Sequence, residues 1–451
     1  MFTFLDKKFI NRFLSIALPI ALVSLVNFGV KAVDTLMLGL VGEEYLSGAA
    51  QANQLSFMFM VIVGSGVAGG AAVMTAQFWG AGNKKRVREI FAFMFKVVAA
   101  VSLLFSAAAI FAPHAIMRIL TSDADVIYQG VIYLRIIGVG FMFWGFSNAC
   151  AGILRSVGVV KIPVFIFSGS LILSAFLNYL LIFGNFGFPE MGIAGAATAT
   201  LIARIIEFFV LAVYLLKIEK NLAFRIKHLF LRREKVAKVF VKFGLPVVIN
   251  ETFWSSGFFV VNVIIGHIGR EFVAANAVAG LVLQLTGIVI FSMCNATAVI
   301  VGNTIGEGHY KHAKSMANGM IVISFIVGLA CTAIIQAIRI PFVNFYELSE
   351  DAHTYAHQLI HILSVSVIFM SVALISMLGT LRGGGDVKFV MITDIIFMWL
   401  IGIPLGVFFG LVLGFPVWVV FIILRSDDFF KTIVVLWRVP KGKWLKDLTK
   451  T

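Results

Sequence analysis

Twelve apolar stretches run along the chain, near 14–40, 49–79, 90–112, 127–153, 162–184, 192–216, 241–266, 273–304, 316–338, 357–381, 389–412 and 416–437. Each is about as long as the ~20 residues that a helix needs to cross a bilayer. None shows the apolar-polar alternation of an outer-membrane strand. The opening MFTFLDKKFINRF has basic residues followed by an apolar run, but no small-residue cleavage signal follows, so the run is read as a retained first helix.

Lys and Arg are unevenly placed between these stretches. Connections on one side, including both ends of the chain, carry 27 of them, and the alternate connections carry three, Arg118, Arg270 and Arg339. The positive-inside rule puts the rich side, and with it both termini, in the cytoplasm. Composition agrees: 60% of the 451 residues are hydrophobic and 13% are charged, against about 25% charged in a soluble domain. The net charge of +14 is therefore a topology signal. It calls for no nucleic acid, and an anionic inner leaflet would welcome it. Cys150, Cys294 and Cys331 lie far apart inside apolar blocks, as small buried residues and not as a disulfide framework.

A repeat organises the whole. LRSVGVVK from Leu154 returns as LRGGGDVK from Leu381, 227 residues on. Leu18-Pro19 returns as Leu245-Pro246, and Gly39 and Gly42 as Gly266 and Gly269, at the same offset. Two halves of six helices each enter the membrane the same way round, so their symmetry axis lies along the membrane normal. The expected fold is an all-α integral membrane protein of twelve transmembrane helices in two six-helix bundles related by a pseudo-two-fold. An N-lobe over 1–216, a basic cytoplasmic linker over 217–240 and a C-lobe with a basic tail over 241–451 follow. The linker's helix-like apolar pattern places it on the inner membrane surface.

Ionisable residues within spanning helices are costly and point to function. Asp34 in helix 1 and Glu251 in helix 7 stand out as carboxylates able to exchange H⁺ or Na⁺. Asn27 and Thr35 add oxygens near Asp34, and Lys31, one turn earlier, is placed to pair with it. Around Glu251, Asn250, Thr252 and Ser255 offer hard oxygen ligands, and Pro246 frees a backbone carbonyl. No Lys or Arg lies nearby in sequence. Under the repeat, Asp34 maps to Val261 and Glu251 to Ser24, so each half brings a different acid. Asp394 in helix 11 is a weaker third coupling candidate. Arg204 with Glu207, and Arg425, Asp427, Asp428 and Lys431, have the spacing of structural pairs. His353, His357 and His361 read as a wet outer rim, not a metal centre. With no nucleotide-binding or hydrolase motif, an ion gradient or mass action has to supply the energy.

These residues resemble a known family. VDTLMLGLVG, LSGAAQANQ, AQFWGAGN, LNYLLIFGNFGFPEMGIAGAATAT, NETFWSSG, LRGGGDVK and VLWRVPKGKW occur in the order found in multidrug and toxic compound extrusion (MATE) transporters, over nearly the whole length. The resemblance implies two bundles forming a V around a central cavity, and antiport of lipophilic or cationic compounds against Na⁺ or H⁺. It assigns Asp34 and Glu251 to the family's helix 1 and helix 7 acids. Asn178 and FGFPEMG resemble the NorM-like branch, since the DinF-like branch commonly has Asp at that position. The further helix 10 acid frequent in NorM-like members has no counterpart at Phe369, Met370 or Ser371. Gln51, Trp254 and Phe258 are the substrate-lining candidates. The reading is a monomeric secondary-active exporter of the prokaryotic inner membrane, in contact with membrane lipids, with no cofactor beyond its coupling ion. Its alternatives are a lipid-linked-sugar flippase of related scaffold, or a membrane-embedded enzyme.

Overall fold

In lipid, a spanning segment has to satisfy every backbone amide internally, which leaves long apolar runs only the helix. The computed structural model describes residues 7–230, 234–346 and 348–450, and these contain helices and connections but no strand. The first six residues, and residues 231–233 of the basic linker, lie outside the described residues. In the first half the long helices are α1 (Lys7–Val41), α2 (Glu43–Gly80), α3 (Lys84–Phe111), α4 (Ala124–Ser156), α5 (Lys161–Phe183) and α6 (Gly192–Ile218). The second half holds α7 (Leu245–Ile268), α8 (Arg270–Gly306), α9 (Tyr310–Asn344), α10 (Glu350–Leu381), α11 (Val387–Val412) and α12 (Val417–Lys441). Eleven of these are long and apolar enough to cross a membrane. The exception, α12, has the length but carries Arg425, Asp427, Asp428 and Lys431 mid-helix.

The repeat is visible in the backbone. Gly42 and Gly269 break α1 from α2 and α7 from α8 with matching extended conformations, φ/ψ 165/155 and 160/155. Gly158 and Gly385, also 227 apart, both turn the chain with left-handed φ of 87° and 86°. There an L side chain is disfavoured, so both halves keep glycine.

The chain divides into two compact units. One holds 19–75 and 83–248, and the other holds the N-terminal stretch through Leu18, Ala76–Gly82 and everything from Ile249 on. In the first unit, Phe59 on α2 meets the rings of Phe105 on α3 and of Phe141 and Trp144 on α4, at centroid distances of 5.3, 4.6 and 5.5 Å. Lipid tails are as apolar as these side chains, so close packing and not water exclusion holds such helices together.

In the second unit, Val301, Met377, Leu381, Val390, Val435 and Trp444 share one core. Trp444 belongs to the segment after α12, which turns at Gly442 (φ 72°) and folds back over the loop 383–386. Its indole is fully buried and donates to the Val439 carbonyl at 2.8 Å. The Lys446 amide donates to the Gly384 carbonyl at 2.9 Å. The Leu448 amide donates to Gln77 Oε1 at 2.9 Å, and Gln77 Nε2 donates to the Gly383 carbonyl at 3.2 Å. Asp386 accepts from Arg438 at 2.7 Å and from Lys446.

Candidate functional site

In the second unit, α7 carries Glu251 at 8% exposure. Its carboxylate accepts from Arg382 Nη1 at 2.8 Å. Arg382 stands at the end of α10, directly after a π-helical stretch, Ile375–Leu381. Such wide turns occur often at functional sites, because they re-aim the residues that follow. Asp394 on α11 and Cys294 on α8 lie in the electrostatic field of this pair.

The neighbouring Asn250 extends the network. Its Nδ2 donates to Asp394 Oδ2 at 3.0 Å, while its Oδ1 is buried with no hydrogen-bond partner among the described residues. Lys431 on α12 reaches Asp394 Oδ1 at 2.9 Å and Asp427 Oδ2 at 2.8 Å, and Asp428 is buried beside them. Polar side chains of α7, α10, α11 and α12 thus form a ladder through an otherwise apolar interior. Ser255 is buried on the same helix as Glu251, with its hydroxyl donating to the Thr252 carbonyl at 3.0 Å. On the same helix, Trp254 stacks on Phe258 with centroids 6.1 Å apart and meets Phe291 edge-on at 6.4 Å. Phe258 and Phe291 are exposed.

In the first unit, Asp34 is half-buried and accepts from Asn178 Nδ2 at 2.6 Å. Asn178 is 1% exposed, and its Oδ1 has no hydrogen-bond partner among the described residues. Lys31, placed by spacing to pair with Asp34, is exposed, and no salt bridge closes between the two. Both Lys31 and Arg204 act on Asp34 through space. Arg204 is held by Glu207 at 2.6 Å, the i, i+3 pair its spacing predicts. Thr35 donates to the Lys31 carbonyl at 2.8 Å. Asn27 on α1 and Gln51 on α2 are half-buried.

The three histidines have separate partners. His353 meets Asn344 Oδ1 at 2.9 Å and His361 meets Gln336 at 2.7 Å, while the rings of His353 and His357 lie 4.7 Å apart. No group of three or more potential ligands converges on a metal-sized site among the described residues.

The MatE family model matches residues 19–180 and 246–408, one segment in each half. The chain belongs to the MatE family. Members of this family are membrane transporters, so the protein is a transporter and not an enzyme. Among its relatives, the uncharacterized transporter YisQ of Bacillus subtilis (strain 168) is 25% identical over 442 residues, covering 98% of this chain and 96% of the relative. The probable multidrug resistance protein NorM of Listeria innocua is 27% identical over 406 residues, covering 88% and 87%. The multidrug resistance protein PmpM of Pseudomonas aeruginosa is 26% identical over 409 residues, covering 89% and 84%. These matches agree with placement near the NorM-like branch. A crystal structure of MATE in complex with MaL6 superposes with a TM-score of 0.86 at 20% identity, covering 98% of this chain and 97% of that one. An MOP superfamily transporter from Pyrococcus furiosus superposes equally well, at 19% identity and 96% coverage of both. They establish the twelve-helix, two-bundle fold.

Two members of the unit-two network escaped the sequence reading. Arg382 counts there as a connection charge, and Lys431 as a partner for its own helix. The signal for Arg382 lay in LRGGGD itself, which sets an Arg at the last turn of an apolar helix before three glycines.

Proposed function

We propose that this MatE-family protein is a secondary-active exporter that exchanges lipophilic or cationic compounds against Na⁺ or H⁺ by alternating access. The observation that carries the reading is the charge balance of the buried ladder. Glu251, Asp394, Asp427 and Asp428 face Arg382, Lys431 and Arg425, four acids against three bases. With all of them ionised, one negative charge is in excess, and a low-dielectric site is relieved by taking up a proton or a small cation. Glu251 is the exchanging group in this reading because it lies one and two helical turns from Trp254 and Phe258 on α7, and its neighbour Asn250 joins it to the acids that carry the excess. Cation–π contact suits those rings to a lipophilic cation. Asp34 with Asn178 supplies the second carboxylate, with Asn27, Lys31 and Thr35 on the same helix and Gln51 on α2 as the supporting polar groups of this reading. The relatives named as multidrug resistance proteins support this substrate class.

The test is efflux from proteoliposomes with ΔpH and ΔNa⁺ imposed separately. Uphill export under either gradient is the expected result. Export under neither gradient would overturn the ion-coupled reading.

The same proposal places the protein in a prokaryotic inner membrane as a monomer, with the segments 1–216 and 241–451 as lobes and the basic stretch 217–240 between them on the cytoplasmic face. Single-cysteine labels at Gly82, Lys220 and Lys443 are therefore expected to react only from the cytoplasm, and one at Tyr346 only from outside. Labelling of Lys220 from the periplasm would invert the map.

A further inference from the structure

Arg382, which holds Glu251, is the residue immediately before Gly383, Gly384, Gly385 and Asp386. Every one of those four is gripped by the segment that follows α12 or by its partner Gln77. A Cβ built on Gly384 would overlap the Trp444 ring. One on Gly385 would lie 2.6 Å from Leu448 Cδ1. Gly383 is held through its carbonyl by Gln77, which the Leu448 amide holds in turn. Asp386, at 1% exposure, is clamped between Arg438 and Lys446. Beyond Lys446, Asp447 accepts from the Tyr310 hydroxyl at 2.5 Å, which ties the segment to α9. The repeat shows that this seat is specific to the second half: the position equivalent to Gly384 is Val157, whose side chain would fill the space the indole takes.

We infer that the segment Trp444–Leu448 is a positioning strut for Arg382, and that through Arg382 it sets how readily Glu251 exchanges its cation. The inference rests on the reading of Glu251 as the exchanging carboxylate. Its physical basis is that a guanidinium has to keep hydrogen-bond distance to stabilise a carboxylate, and its backbone here is anchored from the tail side. The groups facing Glu251 are Arg382 from the end of α10, Asp394 from α11 and Cys294 from α8, with Lys431 and Asp427 of α12 acting on it through Asp394. Of these, only Arg382 adjoins the gripped loop. When the strut is removed, Arg382 loses its fixed reach, and a carboxylate that loses a cationic partner favours its neutral, protonated form.

The test uses the full chain in liposomes and dicyclohexylcarbodiimide, which modifies protonated carboxyls in apolar surroundings. The adduct on Glu251 is read by mass spectrometry against pH, with Glu251→Gln as the blank. Trp444→Ala is expected to move half-labelling upward by about one pH unit, a tenfold change in proton affinity, and Arg382→Gln is expected to move it further. Trp444→Phe restores most of the wild-type position. Trp437→Ala, at an exposed tryptophan of α12, leaves it unchanged. Leu448→Gly is carried in parallel, since it loosens the cover over Gly385 while leaving the indole seated, and moves the curve in the same direction. A wild-type curve for both Trp444→Ala and Leu448→Gly, beside a shifted one for Arg382→Gln, overturns the strut and leaves the role of Glu251 standing. Absence of any Glu251 adduct in wild type and variants alike removes the underlying reading instead.

Discussion

Proteoliposomes carrying Glu251→Gln are expected to lose uphill efflux completely while still binding substrate. The amide keeps the shape of the side chain, so the aromatic surface of Trp254 and Phe258 stays in place. It exchanges no proton at working pH and is a poorer ligand for Na⁺, so a gradient has nothing to act on. It also leaves Arg382 as a buried cation without its carboxylate, a change that costs about 3–5 kcal/mol when one partner of a buried pair is removed. Glu251→Gln combined with Arg382→Gln is therefore expected to regain thermal stability without regaining efflux. That separation distinguishes a coupling acid from a structural one. Normal uphill rates in Glu251→Gln would assign Glu251 to structure alone.

The second large effect is on stability. Lys431 is 2% exposed and bridges Asp394 and Asp427. Lys431→Met fills the same volume but strands both carboxylates in a low-dielectric interior, at a cost of about 3–5 kcal/mol. A marked drop in unfolding temperature in detergent is the expected result. Adding Asp394→Asn should recover much of it, because the amide still meets Asn250 and needs no cation. An unchanged melting curve for Lys431→Met would show that water or another cation already serves the two acids.

The sequence made the helices plain, since spans this long and this apolar have no other stable form in lipid. The two-fold repeat was equally plain in LRSVG and LRGGG, and the backbone repeats it at Gly158 and Gly385. The acids were visible because charge in an apolar run is conspicuous. Their partners were less so. Arg382 lies 131 residues from Glu251 and Lys431 lies 37 from Asp394, so only the packing of α10 and α12 against α7 and α11 brings them together. Spacing along a helix likewise promised Lys31 to Asp34, but the carboxylate instead takes the amide of Asn178, 144 residues away. Local geometry offers candidates, and desolvation across helices chooses among them. The tail is legible in sequence as basic. That it buries Trp444 over Gly384 and Leu448 over Gly385 depends on a cradle assembled from distant segments.

The charge cluster on α12 has a consequence for how the chain is made. Central Lys, Arg and Asp residues each add about 2.5–3.5 kcal/mol to the cost of passing from the translocon into lipid. Two acids and two bases within seven residues therefore keep this helix from partitioning on its own merits. Its entry has to be cooperative with α11, whose Asp394 is waiting for Lys431. Span α12 is thus committed to the bilayer by its neighbour, through the ion pair that joins it to α11.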